Sequence, residues 1–203
     1  MKTLLFVVGS ATSYRLHRLF ARDRQTVDAA FAGDVVGVVN PGMFAIGDTL
    51  SAGQGIEFDR MPSFQPEYFG ILQNVDVNRS KQFRKGVLQL AEEGVVQVYY
   101  ADASQRREPI LGAVGRLQFD VVESRLLQEY GVQARVDALP YVCARWPHGS
   151  PEAVGRVRWP SSGVSLARDQ NNDQVCLFAS TWDVQHLIRL YPEVEFRETS
   201  QAL

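Results

Sequence analysis

Two segments of this chain repeat one another, and the repeat limits the possible folds more than any other feature. Gln82-Phe83 recurs as Gln118-Phe119, Leu90 as Leu126 and Glu93 as Glu129, each pair 36 residues apart. The same order of elements surrounds each copy. The apolar run FGILQNV (69–75) reads as a strand. Residues 79–93 follow with Phe83, Val87, Leu90 and Ala91 at i, i+4, i+7 and i+8, one face of a helix. Gly94 stands where a helix C-terminus is expected, and VVQVYY (95–100) is the returning strand. After a polar connection (101–107) the pattern starts again. A strand is expected over 109–114. A helix follows over 117–130, with Phe119, Val122, Leu126 and Tyr130 inward. Gly131 is its stop, and a strand covers 132–139. Two strand–helix–strand halves predict a split βαβ, ferredoxin-like sandwich, with two helices on one face of a four-stranded antiparallel sheet.

The flanks are of a different character. LLFVV (4–8) reads as a strand, because a signal peptide needs an apolar region of roughly 7–15 residues. DVVGVV (34–39) is an apolar strand bounded by Asn40-Pro41-Gly42, and a further strand and turn are expected over 44–50. Pro62 and Pro66 resist both helix and sheet, so the domain boundary falls at about residue 61. The expectation is a partial β-barrel domain over 1–61 and an α+β domain over 62–203. Within the latter, a double βαβ core spans about 67–140 and an α+β extension spans 141–203. The extension should hold a hairpin (164–168 and 174–180), a helix capped by Thr181 and ended by Pro192, and a closing strand (194–197).

The chemistry is sparse. A net charge of −2 over 203 residues gives no general attraction to nucleic acid, so any such contact must be a local patch. No segment approaches the roughly 20 apolar residues of a membrane span, and no membrane partner is expected. Cys143 and Cys176 are expected to be free thiols in a reducing, cytoplasmic setting. Gly112-Ala113-Val114-Gly115, between a strand and a helix, invites comparison with a phosphate loop. The lysine and hydroxyl of such a loop are missing; Arg116-Leu117-Gln118 follows instead. The glycines should therefore serve a tight turn. Asp34-Val35-Val36-Gly37 resembles a GTPase switch sequence, but a buried strand accounts for it. His17, His148 and His186 lack metal-ligand spacing, and Asp120 and Glu123 read as a solvated helix face. The chain predicts no catalytic, cofactor-binding or metal-binding residue, and no enzyme.

One feature stands apart from this quiet pattern. The helix over 79–93 opens with Arg79, Lys81, Arg84 and Lys85 and closes with Glu92 and Glu93. That opposes the helix dipole at both ends, at about 0.3–1 kcal/mol per exposed charge. A phosphate-rich partner would give the basic start a use; a screened surface patch is the plainer account. Arg106 and Arg107, in the loop after the next strand, form a second basic candidate.

Several runs resemble a known family. Residues 31–38 and 44–50 are similar to the second, barrel domain of the translational GTPases. Residues 61–67, 89–98, 112–122, 144–146 and 191–196 resemble the peptide chain release factor 3 branch of that family. The resemblance implies a C-terminal fragment lacking the GTPase domain, with GTP and Mg belonging to the full-length protein. It also implies a cytoplasmic docking and coupling piece whose partner is the ribosome, both RNA and protein. Codon-reading release factors would be indirect partners, driven off the ribosome. Arg79, Lys81, Arg84, Lys85, Arg106 and Arg107 are then the candidate ribosome contacts. A small-molecule-binding regulatory module of ferredoxin-like fold is the alternative, since fold does not fix function.

Overall fold

The computed structural model describes residues 6–8, 16–20, 23–27, 31, 33–38, 48–51, 58, 64–101, 108–160 and 162–199. The chain divides into two units, 1–62 and 63–203.

In the first unit, β1 (Phe6–Val8) pairs in parallel with β5 (Thr49–Ser51). A separate antiparallel sheet has the order β3-β2-β4, from β2 (Leu16–Phe20), β3 (Asp23–Val27) and β4 (Val36–Val38). The strand expected over 34–39 is shorter than its apolar run, and it is not buried. Val35 is 81% exposed. Asp34 instead closes a turn, accepting from the Phe31 N–H at 3.0 Å. Most of the strand expected over 44–50 lies outside the described residues.

The second unit is one eight-stranded sheet covered by helices. Its chain order begins β6 (Tyr68–Asn74), a 3-10 turn (Val77–Arg79), α1 (Ser80–Glu92), β7 (Gln97–Ala101) and β8 (Ile110–Ala113). It continues with α2 (Leu117–Tyr130), β9 (Ala134–Leu139), β10 (Cys143–His148) and α3 (Pro151–Gly155). It ends with β11 (Val164–Arg168), β12 (Gln174–Phe178), α4 (Thr181–Leu190) and β13 (Glu195–Arg197). The strand order is β13-β10-β12-β11-β7-β8-β6-β9, antiparallel throughout. The four strands of the repeat are continued rather than isolated. An open β7 edge would leave backbone groups unpaired, and β11 takes it up, with Ala167 opposite Ala101.

Alternation along the strands sorts the side chains into layers. Leu72, Val98 and Leu111 face Phe83, Val87 and Leu90 of α1 and Val122 and Leu126 of α2. Phe69, Tyr99 and Ile110 point the other way and meet Ala144, Trp146, Val175 and Leu177 from the extension. Cys143, Cys176 and Phe178 then pack with Val184 and Leu187 of α4. Both cysteines are buried free thiols. The repeat-related Leu90 and Leu126 are both fully buried. The two helices meet closely because Gly86 has no side chain. A Cβ there would lie 2.5 Å from Leu126 Cδ2 and 3.0 Å from Tyr130 Cδ2.

Residues 64–67, which lead into β6, are fastened to the sheet. Gln97 Nε2 donates to Phe64 O at 3.0 Å, and the Glu67 N–H to Ala113 O at 2.9 Å. Arg145 Nη1 donates to Gln65 Oε1 at 3.2 Å. Pro66 sits so close to Gly112 that a Cβ on the glycine would lie 2.9 Å from Pro66 Cβ and from Tyr99 Cε2.

One local detail differs from expectation, and two elements lie where none was assigned. Ser180, not Thr181, caps α4, its Oγ accepting from the Trp182 N–H at 3.1 Å. Strand β10 carries Pro147, a residue that argues against a strand. It is tolerated because β12 pairs only with Cys143–Arg145, and Pro147 lies opposite Phe196 of β13 alone. The single-turn helix α3 starts on Ser150, whose Oγ accepts from the Ala153 N–H at 3.2 Å.

Candidate functional site

The backbone amides of the turn between β8 and α2 are engaged by a side chain. Gln118 Oε1 accepts from the Val114 N–H at 2.7 Å and from the Gly115 N–H at 3.2 Å. The two amides that could cradle an anion are bound by the helix's own first turn. Gln118 Nε2 donates onward to Val95 O at 3.0 Å, joining the two halves of the repeat. Arg116 lies over the Tyr68 ring at 5.3 Å. Gly112, expected to serve the turn, lies within β8 and is instead required by the close approach of Pro66 and Tyr99. Gly115 is not: no atom lies within 4 Å of a Cβ built there.

The basic start of α1 separates into two kinds of residue. Arg79 is partly structural. Its Nη1 donates to Gly131 O at 2.7 Å and its Nε pairs with Asp76 at 3.3 Å. The guanidinium thus sits at the C-terminal end of α2, where the helix dipole favours a cation. Lys81, Arg84 and Lys85 are exposed, and no described carboxylate forms an ion pair with them. Arg106 and Arg107 lie outside the described residues.

The acidic end of α1 is answered by its neighbour. Arg125 of α2 binds Glu93 through Nη1 at 2.6 Å and Glu129 through Nε at 2.5 Å. These are the two glutamates the repeat relates. The bond from Arg125 holds both carboxyls below the ordinary glutamate range. Gln89 Nε2 donates to Glu93 Oε1 at 3.2 Å, and the Tyr130 hydroxyl to Gln89 Oε1 at 2.6 Å. Glu123, expected to be merely solvated, accepts from the Val136 N–H at 2.7 Å and covers the β9 edge. Asp120 remains exposed.

Beside the exposed cations lies a cleft of about 100 Å³, lined by Val87, Leu88, Ala91, Val98, Tyr100 and Gln170. Leu88 is 57% and Tyr100 46% exposed. Burial raises the Tyr100 phenol, and the nearby Arg84 charge pulls it back. The cleft lining therefore brings together an aromatic ring and an apolar side chain, with the Arg84 charge near enough to act on the phenol. Sequence reasoning marked Arg84 but not Tyr100 or Leu88, because their meeting depends on α1 crossing β7. Among the described residues, no cluster of three or more His, Cys, Asp or Glu could hold a metal ion. No helix among them is long and apolar enough to cross a membrane.

Comparison with known proteins gives this arrangement a setting. Residues 4–53 match elongation factor G domain 2, and residues 58–188 match class II release factor RF3, C-terminal domain. Both matched models are of translation factors. The chain belongs to the class II release factor RF3 family. It is 46% identical over 184 residues to peptide chain release factor 3 of Nostoc punctiforme, covering 89% of this chain and 33% of that protein. Its identity to the Cyanothece protein of the same name is 45% over 184 residues, at 89% and 33% coverage. For the Symbiobacterium thermophilum protein it is 43% over 185 residues, at 91% and 35%. The chain spans about a third of the length of these curated relatives.

Proposed function

We infer that this chain is the C-terminal docking and coupling region of a cytoplasmic translation termination factor. The family match over 58–188 carries the reading. In the full-length protein, GTP and Mg are held by a segment outside this chain. This region seats the factor on the ribosome, and the nucleotide state is passed through it to promote departure of codon-reading release factors. The βαββαβ part, with β9-β6-β8-β7 as its strand order, is a ferredoxin-like sandwich used as a rigid body, and the first unit is a partial β barrel. Lys81, Arg84 and Lys85, with Tyr100 and Leu88 beside them, form the contact surface toward ribosomal RNA and protein. Arg106 and Arg107, outside the described residues, are proposed as further contacts from their charge alone. Arg79 contributes charge there while holding α2.

The test is co-sedimentation with bacterial ribosomes across a salt series, run on this chain and on a full-length factor. Reversing Lys81, Arg84 and Lys85 to Glu should weaken binding and flatten its salt dependence, by about 0.7–0.9 in log–log slope per lost phosphate contact. Unchanged binding in both proteins would remove this surface from the reading.

A further inference from the structure

A second exposed surface lies on α4, away from the sequence elements used so far. Trp182 is 61% exposed, although large aromatic rings are usually mostly buried. Its ring stacks on His186 with centroids 5.0 Å apart and planes 7° from parallel. The Ser180 cap fixes the backbone at Trp182. Arg189 is exposed, and its Nε donates to Gln185 O at 3.2 Å. At about 100° per residue, Trp182, His186 and Arg189 fall within a sector of about 60°. No carboxylate shares that sector. Asp183 lies outside it, with Oδ2 directed toward Gly163.

We propose that the Trp182–His186–Arg189 face of α4 binds single-stranded RNA, with an unpaired base stacking on the Trp182 indole. The chemistry favours RNA over a protein groove. A flat ring pair offers a π surface that any base can cover, and a guanidinium one turn along can meet the following phosphate. The indole is ordered before binding by its stack on His186, so little rotamer freedom is lost. The proposal rests on the docking reading above in one respect, that the partner contains RNA.

The experiment uses this chain with a short single-stranded oligouridylate and an RNA duplex of equal length, followed by tryptophan fluorescence and filter binding. The single strand should quench the fluorescence, and the duplex should bind more weakly. Trp182→Ala should weaken single-strand binding about tenfold, while Trp182→Phe keeps most of it. Arg189→Glu should weaken binding and lower the salt slope by about 0.7. Thermal melts confirm that each variant is folded. Wild-type affinity in Trp182→Ala overturns the proposal. So does equal affinity for duplex, or binding of a ribosomal protein with no binding of either RNA. The α1 charge-reversed variant is run in parallel. Tryptophan-dependent RNA binding with no ribosome co-sedimentation leaves this proposal standing and removes the docking reading; the reverse pattern does the opposite.

Discussion

Arg79 and Gly131 stand 52 residues apart in the chain and meet at 2.7 Å, the guanidinium donating to the carbonyl that follows α2. A residue that reads as a misplaced charge on one helix is the cap of another. Removing it should cost stability rather than only surface charge. Arg79→Ala is expected to lose about 1 kcal/mol, discounted for its exposure, and to lower the melting temperature by about 2–4 °C. Lys81→Ala should stay within about 0.5 kcal/mol. Equal thermal shifts for the two variants would contradict this division of roles.

The Arg125 pair sets a pH dependence. Glu93 and Glu129 have folded values below the ordinary 4.5. Their contribution is therefore complete above 4.5 and is lost as pH falls through the lowered folded values. Arg125→Met should flatten stability against pH in that acid window, leaving steeper losses to other groups. Urea titrations of both proteins between neutral pH and about pH 3 measure the difference.

Gly86 can be tested by size. A Cβ there meets the fully buried Leu126, so Gly86→Val should force α1 and α2 apart at a cost of about 1–3 kcal/mol. The double variant with Leu126→Ala should cost less than the two single losses added together, because the nearer of the two clash partners, Leu126 rather than Tyr130, is gone. Additive losses would show that the contact is not what limits the helices' approach.

Gln118→Ala should loosen the turn before α2. The amides of Val114 and Gly115 lose their side-chain acceptor, and hydrogen exchange at both should quicken by about tenfold. Exchange at Leu126, deep in the same helix, should change little. If the Val114 and Gly115 amides keep their protection, something other than Gln118 satisfies them.

The repeat made the order of elements in the second unit legible. Its residues do double duty: Leu90 and Leu126 fill one core, and Glu93 and Glu129 share one arginine. The helix over 117–130 could be placed to the residue, because Gly115 to Gly131 brackets a clean apolar period. Strand β10 was not legible, since Pro147 contradicts local strand preference, and its two halves are held by different strands, 143–145 by β12 and 146–148 by β13. At the candidate surface, charge was legible but its use was not. Nothing local to Arg79 points to Gly131, and nothing local to Glu93 points to Arg125. Trp182 was equally silent, because α4's inward face gives the apolar period without it.

Residues 64–67 belong to the second unit and are tied into its sheet although they form no strand. Here Phe64, Gln65 and Glu67 are each hydrogen-bonded to a different strand, β7, β10 and β8. Cutting any one of these bonds therefore leaves the segment held to the sheet by the other two.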